Sequence, residues 1–128
     1  MRVSVIVCGA NGERSVIIEK AVEEFAKGYF DKIIQFSACT VIGSPMIVEM
    51  SGGKADRTVA VNGCRNKCAD RILKNANIEP KISLVLDDIV PRKLQNCEGC
   101  TKFVFPDITE EECHALAQRM GQAVDQLK

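Results

Sequence analysis

Cysteine is the residue type that gives this sequence most of its capacity for chemistry, because the chain has seven cysteines among 128 residues. Cys64 and Cys68 stand four positions apart in VNGCRNKCAD, and Cys97 and Cys100 form a Cys-x-x-Cys pair in a polar stretch. Thiolates bind zinc and iron–sulfur clusters, act as nucleophiles and exchange with disulfides. The cysteines therefore indicate a metal site, a thiol enzyme or, as the simplest alternative, an interaction protein whose thiols are packed as small apolar side chains.

The composition favours an ordinary globular domain in a reducing compartment. An odd number of cysteines cannot pair completely within one chain, and the N-terminal run predicts a first strand rather than a secretion signal, so we expect a cytoplasmic protein. Lys plus Arg equals Asp plus Glu at 17 each, which leaves no basic surplus for a nucleic-acid partner. The apolar runs are strand-sized, far below the roughly 20 residues of a membrane span, so we expect no membrane association.

Hydrophobic patterning predicts a single α/β domain over residues 1–128. Short β-branched runs predict four strands at residues 3–8, 32–37, 57–61 and 81–88, with a possible fifth at KFVF. Helical spacing predicts helices at 15–28 with Gly28 as the stop, 44–52 with Ser44 as the N-cap, 64–76, and 109–127 with a capping box at its start. This alternation predicts a three-layer domain, in which a mainly parallel sheet of four or five strands carries helices on both faces.

The predicted sheet would bring cysteines from distant parts of the sequence together. In a parallel sheet the carboxyl ends of the strands lie along one edge, where ligands bind. Cys8 ends the first predicted strand, Cys39 follows the second, and Cys64 and Cys68 follow the third. We predict that these four thiols meet at that edge, and that Cys64 and Cys68 share a helix face because they are four residues apart. Four thiolates in a tetrahedron would hold zinc, and four can equally hold an iron–sulfur cluster.

Three motifs at these strand ends carry a family resemblance: CGA at residues 8–10, SAC at 37–39 and NGCRNKCA at 62–69. In this order they resemble the DGC-domain family, over roughly residues 2–90. The family is named for Asp-Gly-Cys, and this chain has Asn62 in place of that Asp. The resemblance implies zinc binding by cysteines and no defined reaction. It does not extend over residues 91–128, where we predict the Cys-x-x-Cys loop, the short strand and the last helix.

The first loop supports an alternative, because CGANGERS places Arg14 and Ser15 after Cys8 and five intervening residues. This pattern resembles the phosphate loop of low-molecular-weight tyrosine phosphatases and the related arsenate reductases. The resemblance implies Cys8 as nucleophile and Arg14 as the group that grips the oxyanion. Glu13 departs from that pattern, and the usual Asp-Pro acid is absent. On the metal interpretation Arg14 is a helix-start side chain that could offset thiolate charge, and its replacement by Ala would have a mild effect.

The remaining candidates have simpler interpretations. Cys97 and Cys100 would lie near the edge as additional ligands, a redox dithiol or exposed loop thiols. Cys113 shares the apolar face of the last predicted helix, so we expect it in the core. His114, the single histidine, lies off that face and is expected in solvent. The favoured hypothesis is therefore zinc, with an iron–sulfur cluster second, held by Cys8 and the other three edge cysteines.

Overall fold

A computed structural model of the protein describes residues 3–8, 13–44, 46–47, 57–63, 67–90 and 110–127. Strands and helices alternate along the described chain, as the patterning predicts. The elements are β1 (Val3–Cys8), α1 (Glu13–Tyr29), β2 (Ile33–Ser37), α2 (Ala38–Gly43), β3 (Thr58–Asn62), α3 (Cys68–Asn75), β4 (Ile82–Val85), α4 (Leu86–Ile89) and α5 (Glu110–Gln126). The possible strand at KFVF lies outside the described residues.

The four strands form one parallel sheet in the order β2-β1-β3-β4. Their register brings the carboxyl ends level with one another, since Cys8 is paired with Asn62 and Asn62 is paired with Val85. On the other side of β1, Val7 is paired with Ser37, the last residue of β2. The predicted α/β fold is confirmed, and the carboxyl edge of this sheet is called the rim below.

Each face of the sheet is covered by its own pair of helices. Alternate residues of β1 point to opposite faces, because successive side chains of a strand do so. Val3, Val5 and Val7 belong to a core shared with α1 and α5. Ile6 belongs to a second core shared with α2 and α3, and half-buried Cys8 packs against that core. The two cores give the three layers that the sequence predicts.

Several predicted element boundaries are wrong by a few residues. Helix α1 continues through Gly28 to Tyr29, whose ring stacks on Phe25 with centroids 5.0 Å apart. Strand β4 ends at Val85, and the next residues form the short helix α4 instead of extending the strand. The last helix ends at Gln126, one residue before its predicted end. Its predicted capping residue lies outside the described residues.

A short helix directly after β2 was not predicted. Helix α2 begins at Ala38, and the Ser37 hydroxyl caps it by accepting a hydrogen bond from the Thr40 amide at 3.2 Å. Ser44, predicted as the N-cap of a later helix, is the C-cap of α2, and most of that later segment lies outside the described residues. Within the described ranges, no helix is long and apolar enough to cross a lipid bilayer.

Candidate functional site

Three of the predicted site cysteines lie at the rim, on the face covered by α2 and α3. Cys8 is the last residue of β1 and is half-buried, and Cys68 is the first residue of α3 and is also half-buried. Cys39 is the second residue of α2 and is exposed. Helices α2 and α3 pack against each other on this face. Cys8, Cys39 and Cys68 are called the thiol half of the rim.

The thiol half is not by itself a closed metal site. Among the residues that the structure describes, no three His, Cys, Asp or Glu side chains form a group that could hold a metal ion. The fourth predicted ligand, Cys64, lies outside the described residues, as do Cys97 and Cys100. The described thiols have the right chemistry for zinc, but the structure does not bring Cys8, Cys39 and Cys68 together as three ligands of one ion.

The backbone before α3 corrects one prediction about Cys64 and Cys68. Helix α3 begins at Cys68 rather than Cys64, and Lys67 before it has left-handed backbone angles, φ 52° and ψ 49°. A right-handed helix requires φ near −63°, so no continuous helix joins the two cysteines. The expectation that they share a helix face is wrong.

Asn62, at the end of β3, is the best-connected polar side chain of this half. It is fully buried, and its Oδ1 accepts hydrogen bonds from the amides of Ala69 at 3.0 Å and Asp70 at 3.4 Å. Its Nδ2 donates to Asp70 Oδ1 at 2.8 Å, to the Leu84 carbonyl at 3.1 Å and to Ser83 Oγ at 3.2 Å. Asn62 therefore links β3 to both β4 and the start of α3.

On the other side of the rim, Arg14 at the start of α1 is buried. Its Nη1 donates to the Gly63 carbonyl at 2.8 Å and also to Asp87 Oδ1, and its Nη2 donates to Asp87 Oδ2 at 3.1 Å. The Arg14 side chain is 4% exposed and that of Asp87 is 19% exposed. Planar guanidinium and carboxylate groups fit each other in this two-point geometry. Arg14, Asp87 and the Gly63 carbonyl are called the arginine half of the rim.

The arginine half changes the interpretation of two sequence features. Arg14 is not a plain helix-start side chain, because it joins α1 to α4 and to the turn after β3. Asp87 does not simply end a strand, because it is the carboxylate that receives this guanidinium. The phosphatase-like interpretation needs Arg14 to grip an external oxyanion. In this structure the same guanidinium already grips a carboxylate of its own chain.

Two predictions away from the rim are confirmed. Cys113 is buried in the core between α5 and α1, where burial raises the pKa of its thiol above the ordinary value. His114 is exposed, and its Nδ1 lies 2.7 Å from Glu24 Oε1 on α1. Neither side chain belongs to the rim, so Cys113 is a natural control for experiments on the thiol half.

Comparison with protein families gives one match, to the family described as DGC domain, over residues 5–120. The match extends beyond Val90, so the resemblance covers more of the chain than its strand-end motifs predict. It includes the residues of both halves of the rim and most of α5. No curated protein and no solved structure matches the chain.

Proposed function

This chain belongs to the DGC-domain family, and from that premise we propose that it binds a thiophilic metal ion, zinc in the first place, through cysteine thiolates at the rim. The proposed ligands are Cys8, Cys39, Cys64 and Cys68. The observation that supports the proposal most is the thiol half itself, whose three cysteines stand at the end of β1 and at the starts of α2 and α3. Packing alone does not require a thiol at each of those positions.

The local environment of the proposed ligands suits a metal better than a core. Cys39 is exposed, and Cys8 and Cys68 are half-buried, whereas the core thiol Cys113 is buried. A zinc ion held by four thiolates is a closed structural site, which contributes to folding and leaves no open position for catalysis. Such an ion would tie the ends of β1, α2 and α3 together. Cys97 and Cys100 are possible additional or replacement donors.

Two further possibilities accompany this proposal. The same thiolates could hold an iron–sulfur cluster, because four cysteine thiolates are ligands for such a cluster as well as for zinc. The cluster is the second choice. A thiol phosphatase or reductase that uses Cys8 and Arg14 is not favoured, because an oxyanion would have to displace Asp87 from the Arg14 guanidinium. The proposed ligands must stay reduced, which agrees with a cytoplasmic protein whose partner is a metal ion.

Zinc titration with element analysis tests the proposal. Wild-type protein purified without oxygen should contain zinc, or take up about one zinc ion per chain after chelation, as expected for a four-thiolate shell. Iron together with visible sulfur-to-iron absorption would instead favour the cluster. Protein that contains neither metal and does not take up zinc would contradict the proposal. Turnover of an aryl phosphate that disappears in both Cys8→Ser and Arg14→Ala would favour the enzyme.

A further inference from the structure

We infer that Asn62 is the positioning residue of the thiol half: it caps helix α3 from the neighbouring strand and thereby holds Cys68 at the rim. The cap itself is supported by hydrogen bonds in the structure, whereas its effect on metal binding rests on the proposed function. Asn62 would not touch the metal. It would act through the backbone of the helix whose first residue is Cys68.

The start of α3 lacks a cap of the usual kind. The amides of a helix's first turn have no partner within the helix, and the N-cap side chain normally accepts from the second or third residue. The N-cap residue here is Lys67, whose side chain forms no capping hydrogen bond. Ala69 and Asp70 are those second and third residues, and Asn62 Oδ1 accepts from both of their amides. Asn62, a residue of strand β3, therefore forms the capping hydrogen bonds that an N-cap residue normally forms.

The opposite side of the Asn62 amide group shows why this position holds Asn. Its Nδ2 faces the Asp70 carboxylate and the Leu84 carbonyl, which are both acceptors. An aspartate at this position would turn a second oxygen toward these two acceptors and repel them. Asn is thus the residue that Asp70 requires, although the Asp-Gly-Cys of the family name has Asp there.

The two ends of the segment between β3 and α3 are held by different side chains. Asn62 holds the amides of Ala69 and Asp70, and Arg14 holds the carbonyl of Gly63. All of these bonds are made within the protein, and they hold the start of the helix whose first residue is Cys68. Residues that orient metal ligands in this way commonly affect affinity by about ten- to a hundredfold when they are changed.

Hydrogen exchange of the metal-free protein tests the cap. In Asn62→Ala, amide exchange at Ala69 should rise about tenfold relative to the amide of Val5 in the sheet, because the capping acceptor is lost. The control is Val59→Ala, which removes buried apolar atoms from the opposite face of the same strand and should leave that ratio unchanged. An unchanged ratio in Asn62→Ala would overturn the inference whether or not the protein binds metal.

Cobalt titration tests the positioning of Cys68, because Co²⁺ bound by thiolates absorbs visible light. Asn62→Ala should bind Co²⁺ at least about tenfold more weakly than the wild type, whereas Val59→Ala should bind within a factor of about two of it. Wild-type affinity in Asn62→Ala, together with loss of binding in Cys68→Ser, would overturn the positioning role and leave the proposed function standing. A wild type that binds no Co²⁺ would contradict the proposed function, and hydrogen exchange would still decide the cap.

A double substitution covers the case in which Asn62→Ala does not fold. Asn62→Asp should raise the exchange ratio at Ala69 and weaken Co²⁺ binding, because the carboxylates at positions 62 and 70 would repel each other. Adding Asp70→Asn restores one donor between them and should recover part of both losses. No recovery in the double variant would show that the pairing of Asn62 with Asp70 does not position the helix.

Discussion

The two halves of the rim are built from different chemistry, although both include contacts to the end of β3. The arginine half is a mostly buried ion pair in which the Arg14 guanidinium donates to the Asp87 carboxylate and to the Gly63 carbonyl. The thiol half has half-buried and exposed cysteines beside a hydrogen-bond network that is centred on the Asn62 amide and includes the Asp70 carboxylate. One half is closed by its own contacts, and the other presents side chains to solvent.

The difference shows which half of the rim is available to a ligand. A ligand for Arg14 would have to displace the Asp87 carboxylate, which binds the guanidinium through two hydrogen bonds. Such a two-point contact between charged groups is strong. Among the thiols that the structure describes, that of Cys39 is exposed and is therefore accessible to a ligand from solvent. The arginine half therefore shapes the rim, and the thiol half is where we expect binding.

Removal of the guanidinium should produce the largest loss of stability. Arg14→Ala takes the guanidinium away from the mostly buried Asp87 carboxylate and from the Gly63 carbonyl, and we expect the free energy of unfolding to fall by about 3 kcal/mol. Urea denaturation measures this change. The free energy of unfolding of Arg14→Lys should lie between those of the wild type and Arg14→Ala, because an ammonium group keeps the charge but lacks the planar geometry of the guanidinium.

The matched control for this prediction is Arg71→Ala on the exposed side of α3, which should change the free energy of unfolding by less than about 0.5 kcal/mol. Equal small losses in Arg14→Ala and Arg71→Ala would contradict the description of the arginine half. The mild effect expected from the sequence for Arg14→Ala would then be correct after all.

Loss of the Asn62 amide should have the next largest effect. Asn62→Ala removes the acceptor for the amides of Ala69 and Asp70 and the donor to the Leu84 carbonyl, so we expect a loss of about 2 kcal/mol. Thermal or urea unfolding of the metal-free protein measures it. A loss as large as that of Arg14→Ala would contradict the expectation that the ion pair of the arginine half contributes more to stability than the Asn62 amide.

Neutralising the acid that faces Asn62 should have a smaller effect. Asp70→Asn keeps the shape of the side chain but replaces charge-assisted hydrogen bonds from Asn62 and Ser83 with neutral ones, so we expect a loss of about 1 kcal/mol. Urea unfolding again provides the measurement. A gain in stability would mean that the negative charge of Asp70 is unfavourable in this network.

Thiol alkylation of the wild type compares the cysteines of the rim with the cysteine of the core without any substitution. In metal-free protein Cys39 should react fastest because it is exposed, and Cys113 slowest because it is buried and its pKa is raised. The neutral thiol of Cys113 is the form that burial favours, so its labelling should need a higher pH than that of an exposed thiol. Labelling of Cys113 as fast as Cys39 near neutral pH would contradict the assigned core position.

The sequence predicts the elements of this protein well, because the central strands β1 and β3 are buried on both faces and their sequences are rich in β-branched residues. Strand β1 has the predicted bounds of Val3–Cys8, and the parallel sheet with helices on both faces follows from strand and helix alternation. The positions of Cys8 and Cys39 at the rim follow from the same reasoning, since a strand's last residue is fixed once its direction is known.

The contacts that organise the rim could not be predicted, because they depend on distant residues meeting in a particular register. Nothing in the local sequence of Arg14 indicates Asp87, which lies 73 residues away. The start of α3 was misplaced because its cap comes from Asn62 rather than from a residue next to the helix. The signal that could have found it is an amide side chain that ends an otherwise apolar buried strand.

The loop cysteines should have the smallest effect on the metal. Changing Cys97 and Cys100 to Ser together should retain most of the bound metal, because Cys8, Cys39, Cys64 and Cys68 are enough for a tetrahedral shell. Element analysis of the double variant measures this. Complete loss of metal there, with full retention in Cys8→Ser, would show that the four proposed ligands are the wrong set.

The central claim is tested most directly by the metal content of Cys68→Ser compared with Cys113→Ser, measured per chain after purification without oxygen. The two variants carry the same chemical change, one at the rim and one in the core. The account predicts that Cys68→Ser loses most of its zinc, while Cys113→Ser keeps the content of the wild type. Equal zinc content in the two variants would contradict the claim that the thiol half binds the metal.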